Sequence, residues 1–219
     1  MSEEGVSVRK VFSRILFVAA LSVGALGCSA AAPSGGSGSS PTGSLAADIW
    51  IAGDSVAGGV HFYLRTPNIY NAARGGNGYV HQLEGTIPTY VQERLNLPAA
   101  LDGPKYMIAQ GTVTDYQLDF DEVTAAMAAF ESQLSARGIV VIWLTTPVGT
   151  YPALPQWLNR TNAWMMQRSH FMDCNTATVR YAGFPDLIHP SQNGFRAYAE
   201  CIDTKLAEVI AEIEGPAQG

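Results

Sequence analysis

From about residue 46 onward, apolar residues recur in two rhythms that alternate along the chain: short unbroken runs, and stripes at helical spacing. "DIWIAG" (48–53) reads as a short buried strand ending at Gly53, and "PNIYNAARGG" (67–76) holds a second, weaker one that breaks at a glycine cluster. "KYMIAQG" (105–111) is a third. "IVVIWLTT" (139–146) has no polar alternation and is stopped by Pro147, the pattern of a strand covered on both faces. Between them lie helical stretches: 79–95 with an interruption near Pro88, 121–138, 154–171 with Pro155 in its first turn, and 190–213. In 121–138, Val123, Met127, Phe130 and Leu134 fall on one face, with Asp121 placed to cap the start and Gly138 the end. Strands alternating with helices predict βαβ units, hence a three-layer α/β sandwich around a mainly parallel sheet.

In such sheets ligands bind at the carboxyl ends of the strands. The first three strands end in small or polar turns that carry Ser55, Gly75 and Gly76, and Gly111 and Thr112. These turns are expected to share one rim.

The first fifty residues differ in kind. "RKVFSR" is basic, "ILFVAALSVGALG" is a short apolar run, and Cys28 is followed by Gly, Ser and Pro. An apolar run too short to span a bilayer, behind a basic segment, is a secretory leader. "ALGC" resembles a bacterial lipobox, with Leu26 one place later than in the commonest pattern, which would make Cys28 the lipidated residue. A plain signal peptide and an uncleaved anchor helix are the alternatives. The organisation expected is a leader over 1–28, a tether over 29–45, one domain over 46–213 and a short tail over 214–219. With Cys28 lipidated, Cys174 and Cys201 remain as an even pair in an oxidising compartment, and a disulfide between them is expected over two buried thiols. A net charge of −6 leaves no basic face for nucleic acid. No His, Cys or Asp cluster has metal-ligand spacing, and no cofactor is implied.

The chemistry turns on two segments far apart. "GDSVAGG" places Ser55 after the first strand, and "FPDLIHPSQ" places Asp186 three residues before His189 at the entry to the last helix. A serine hydroxyl needs a base to take its proton, and the base needs an acid to hold its tautomer. The order Ser, Asp, His is that of α/β-hydrolases, but Ala57 stands where G-x-S-x-G requires its second glycine.

These segments, with the glycine turn at 75–76 and "GTVTD" at 111–115, resemble the SGNH (GDSL-like) hydrolase family over residues 48–212. The resemblance implies an SGNH/flavodoxin-like fold with Ser55 as nucleophile, His189 as base and Asp186 as its orienting acid. It also implies an oxyanion hole from the N–H groups of Ser55 and Gly76 (or Gly75) and an asparagine side chain. That asparagine is absent from Gly111–Asp115: Thr114 or Asn77 is a candidate replacement, or the donor is missing. Asp54 is expected to cap the helix after the first strand rather than to react. His61, His81 and His170 suit surface or core-edge positions, and Trp157 with the loop 147–156 is the candidate substrate wall.

The expected function is an extracytoplasmic serine esterase or acyltransferase working through an acyl-enzyme. O-acylated envelope glycans or lipids would be its substrates. A lipid anchor would hold it at the outer face of the cytoplasmic membrane or in the cell envelope. The alternative is a non-catalytic lipoprotein of the same fold that binds a glycan or partners an envelope protein.

Overall fold

The chain folds around five parallel strands in the order β2-β1-β3-β4-β5. The computed structural model describes residues 43–82, 85–100, 103–181 and 183–215. The expected leader with Cys28 lies outside the described residues, as do the tether up to residue 42 and the tail from 216. Residues 43–45 already pack on the domain: a Cβ on Gly43 would lie 2.9 Å from the Ile69 carbonyl, and Leu45 rests on the core.

The strands are β1 (Ile49–Ala52), β2 (Ile69–Asn71), β3 (Tyr106–Gln110), β4 (Val140–Leu144) and β5 (Phe171–Met172). The helices are α1 (Ser55–His61), α2 (Ile87–Leu95), α3 (Phe120–Ser135), α4 (Leu154–Met165), α5 (Asn175–Val179) and α6 (Gln192–Glu214). Alternate strand residues face opposite layers, and both sets are apolar. Trp50, Met107, Ala109, Val141 and Trp143 pack with α2, α3 and α4; Ile51, Ile108, Ile142 and Leu144 pack with α1 and α6. This is the expected three-layer sandwich, and the strand order is flavodoxin-like.

The differences from the sequence pattern are local. Helix α2 begins at Ile87 rather than 79, because residues 78–81 form a turn in which Gly78 N–H donates to the His81 carbonyl. Pro88 sits in the first turn of that helix, where its missing N–H costs nothing. Asp119, not Asp121, caps α3, accepting the N–H groups of Asp121 and Glu122. Gly138 ends that helix as expected: at φ +77° it lets Ile139 N–H reach the Leu134 carbonyl. Helix α4 stops at Met165, and Phe171 belongs to β5, whose two residues are too few to show a strand pattern. Helix α6 begins at Gln192 rather than Pro190, and Ser191 caps it by accepting Gly194 N–H.

Cys174 and Cys201 are disulfide-bonded with a sequence separation of 27, tying the entry of α5 to the middle of α6. Closing a loop of that length removes about 3.5 kcal/mol of unfolded-state entropy. We expect Cys174→Ala/Cys201→Ala to lower the unfolding free energy by about 3 kcal/mol in denaturant titrations. An unchanged midpoint would show that the bridge adds nothing to the rest of the packing.

Candidate active site

Ser55 is the first residue of α1, directly beyond β1. The turn is tight because Gly53 has no side chain; a Cβ there would lie 2.7 Å from that of Ala57 and 3.0 Å from that of Gln110. Asp54 caps α1 as expected: one carboxylate oxygen accepts Val56 N–H at 2.8 Å. Its other oxygen accepts Val113 N–H at 2.8 Å, which the sequence did not signal. One buried acid thus joins the turns after β1 and β3.

The turn after β2 closes against the same point. Arg74 N–H donates to the Gly53 carbonyl at 2.9 Å, and a Cβ on Gly75 would lie 3.5 Å from that of Ser55. Gly76 follows at φ +77°, a conformation that favours glycine. Asp115 fastens this loop from the β3 side, accepting Tyr79 N–H and His81 N–H, each at 2.8 Å. Gly78 is obligatory there, since a Cβ would sit 2.2 Å from the Asp115 carboxylate.

Asp186 and His189 reach the rim from the opposite side. Leu187 between them adopts φ +69°, a region uncommon for side-chain-bearing residues. It is held there because its carbonyl accepts Thr150 N–H and Tyr151 N–H at 2.9 and 3.0 Å, and its own N–H donates to Phe184. Gly149 allows the approach; a Cβ on it would lie 2.5 Å from the Leu187 carbonyl. The loop 147–156 therefore supports the histidine turn. Close contact between α1 and α6 sets the span across the rim, since Gly59 lies against the Phe195 ring where a Cβ would be 2.7 Å away.

The result is a continuous line of hydrogen bonds. Ser55 Oγ and His189 Nε2 are 2.7 Å apart, and His189 Nδ1 and Asp186 Oδ2 are 2.6 Å apart. Asp186 Oδ1 accepts the backbone N–H groups of His189 and Ile188 at 2.7 and 3.0 Å. With Nδ1–H donating to the carboxylate, Nε2 is free to accept the serine proton. Partial burial raises the Asp186 carboxyl. The hydrogen bonds from the His189 ring and from the two backbone N–H groups, with the nearby imidazole charge, outweigh it, and its pKa lies below the usual carboxylate value.

The Thr114 hydroxyl pairs with that of Thr112 at 2.7 Å, and Thr112 in turn reaches Asp115. Val113, two residues after Gly111, is buried and offers its N–H to Asp54. Trp157 is buried with its indole N–H donating to the Thr112 carbonyl at 3.4 Å. Asp54 and Asp115, which organise the rim, were not recognisable as such. Their backbone partners lie up to 59 and 36 residues away, with no local motif to mark them. Among the described residues, no group of three or more His, Cys, Asp or Glu is gathered as metal ligands would be.

Burial pushes the Asp54 carboxyl up to about 6, against the two backbone N–H bonds and the His189 charge that lower it; the Asp115 charge adds to the rise. A raised carboxyl pKa means that the folded state holds the proton after the unfolded chain has released it. Stability from this group is therefore full at acid pH, falls between about pH 4 and 6, and levels off above. We expect wild type to lose about 2 kcal/mol more than Asp54→Asn between pH 4 and 7. Denaturant unfolding at the two pH values checks this, and parallel losses in the two proteins would contradict it.

No protein-family model matches this chain, and no curated protein matches it either. Solved structures do. A GDSL-like lipase from Bacteroides thetaiotaomicron superimposes with a TM-score of 0.56 at 13% identity, covering 73% of this chain and 87% of that one. A protein from Slackia heliotrinireducens assigned to the SGNH hydrolases gives 0.56 at 17% identity, over 74% and 97% of the two chains. A carbohydrate esterase family 3 protein from Talaromyces cellulolyticus gives 0.53 at 14% identity, over 76% and 99%. The protein has the SGNH-hydrolase fold.

Proposed function

We propose that this protein is an exported serine hydrolase of the SGNH type that removes or transfers the acyl group of an O-acylated envelope glycan or lipid. The observation that carries this reading is the unbroken Ser55–His189–Asp186 line at the carboxyl rim of the sheet.

In the reaction, Ser55 Oγ adds to the ester carbonyl while its proton passes to His189 Nε2. Asp186 holds the ring in position and stabilises the imidazolium. The oxyanion accepts from the backbone N–H groups of Ser55 and Gly76; the first is a helix N-terminal donor with no intrahelical partner. Collapse breaks the bond to the alcohol, which leaves with the proton from His189. Water or an acceptor hydroxyl then gives its proton to His189 and takes the acyl group, and His189 returns that proton to the departing Ser55 oxygen.

The glycan reading is supported by the carbohydrate esterase among the proteins of this fold. The disulfide suits an oxidising compartment, and the leader with Cys28 suits lipid anchorage at the cell envelope, where an envelope protein partner would have access. The engagement of Thr114 by Thr112 favours a second reading, a scaffold that binds glycan without turnover. Loss of one oxyanion donor costs about 10²–10³ in rate, which slows an esterase without abolishing it.

Acetate release by the full-length protein from 4-nitrophenyl acetate and from O-acetylated oligosaccharides tests the proposal. Turnover of both is expected. Oligosaccharide binding with neither substrate cleaved would support the scaffold instead.

A further inference from the structure

A groove of about 360 Å³ opens between the segment after β3 and the first turns of α4. Tyr116, Asp119, Phe120, Gln156, Trp157 and Arg160 line it. Both segments follow carboxyl ends of strands, so the groove belongs to the same rim as Ser55. Its floor and wall also touch the site's supports. Trp157 donates to the carbonyl of Thr112, in the turn that Asp54 fastens to α1. The Tyr116 ring meets the Tyr151 ring edge-on at 5.8 Å, and Tyr151 N–H is one of the two donors that hold Leu187 beside His189.

The lining combines aromatic rings with polar groups of several kinds. Phe120 is covered by the Arg160 guanidinium at 3.9 Å and meets Trp157 edge-on at 5.7 Å. Stacking on Phe120 fixes the guanidinium at the groove without removing its N–H donors. Gln156 and Arg160 are both exposed, one turn apart on α4. Two carboxylates (Asp119 and Asp121), an amide, a guanidinium and a phenol together offer donors and acceptors in the mixture that hydroxyl groups require. An aliphatic acyl chain would bury these groups without partners, at a cost. The Asp119 carboxylate disfavours an anionic ligand.

We infer that this groove is the subsite for an uncharged sugar ring of the substrate, the part of a glycan ester that stays outside the acyl transfer. The inference rests on the proposed esterase reading for its purpose, but sugar binding here is measurable without catalysis. With Trp157 buried and Arg160 over Phe120, a sugar ring would pack against Tyr116 and exchange hydroxyl hydrogen bonds with Gln156, Arg160 and Asp119.

The test has a binding arm and a kinetic arm. Full-length Ser55→Ala is titrated calorimetrically with two neutral tetrasaccharides, xylotetraose and chitotetraose. Binding of at least one is expected, weakened about tenfold by adding Gln156→Ala or Arg160→Ala, the effect of one lost hydrogen bond. In the wild-type background, the same substitutions are expected to lower by about tenfold the ratio of kcat/KM for the O-acetylated oligosaccharide to that for 4-nitrophenyl acetate. Absence of binding by either sugar, or binding indifferent to both substitutions, overturns the subsite. A shift in acyl-chain preference across 4-nitrophenyl acetate to octanoate, with the glycan ratio unchanged, also overturns it, in favour of an acyl pocket. Sugar binding that both substitutions weaken, in a protein that cleaves no ester, upholds the subsite and removes the esterase reading.

Discussion

Ser55→Ala is expected to lower ester turnover at least ~10⁴-fold while leaving the protein folded. The hydroxyl is the only atom removed, and it lies half-buried at the rim with Nε2 of His189 as its hydrogen-bond partner. Nothing in either hydrophobic layer depends on it, since the buried part of α1 is carried by Val56, Ala57 and Val60. Residual rate would come from the remaining hydrogen-bond donors and from substrate positioning. Steady-state hydrolysis of 4-nitrophenyl acetate, with thermal unfolding measured on the same samples, separates a chemical loss from a structural one. Activity within tenfold of wild type would mean that another group performs the attack.

Asp186→Asn should cost about 10³–10⁴ in kcat, through the tautomer of a neighbouring ring rather than through lost packing. The carboxylate now accepts from His189 Nδ1 on one oxygen and from two backbone N–H groups on the other. Asparagine can keep its oxygen on the backbone groups, which retains the turn and the conformation of Leu187. Its amide N–H₂ then faces Nδ1 and donates to it. The ring proton is driven to Nε2, where it meets the Ser55 oxygen as a donor, and a base is no longer available. The side chain is more than half exposed, so stability should barely change. A large fall in kcat with an unshifted melting temperature is the expected outcome; a fall in both together would make Asp186 a structural residue.

What the sequence made legible follows from the range of the interactions involved. The buried strands and the long helices α3 and α6 announce themselves because their apolar spacing repeats over many residues. The two-residue β5 and the five-residue α5 are too short for any period to develop. The extension of α2 back to residue 79 failed for a tertiary reason, since Asp115 holds residues 79–81 in a turn through the N–H groups of Tyr79 and His81. Ser55, Asp186 and His189 were visible because each stands at a junction between strand and helix or before a capped helix. Asp54 was legible as a cap and illegible as a cross-link, because its second partner is 59 residues away. The groove at α4 was only half visible: Trp157 stood out, whereas Gln156 and Arg160 acquire meaning from their position opposite Tyr116 and Asp119.

The central claim is that Ser55 is an activated nucleophile, and one labelling experiment reaches it without knowledge of the substrate. The full-length protein, with its disulfide intact, is treated with a serine-directed fluorophosphonate and mapped by mass spectrometry. A stoichiometric adduct on Ser55 is expected, absent from Ser55→Ala and from His189→Ala. A folded protein that stays unlabelled, or one labelled equally well without His189, would contradict the account and leave Ser55 as a turn residue on a binding scaffold.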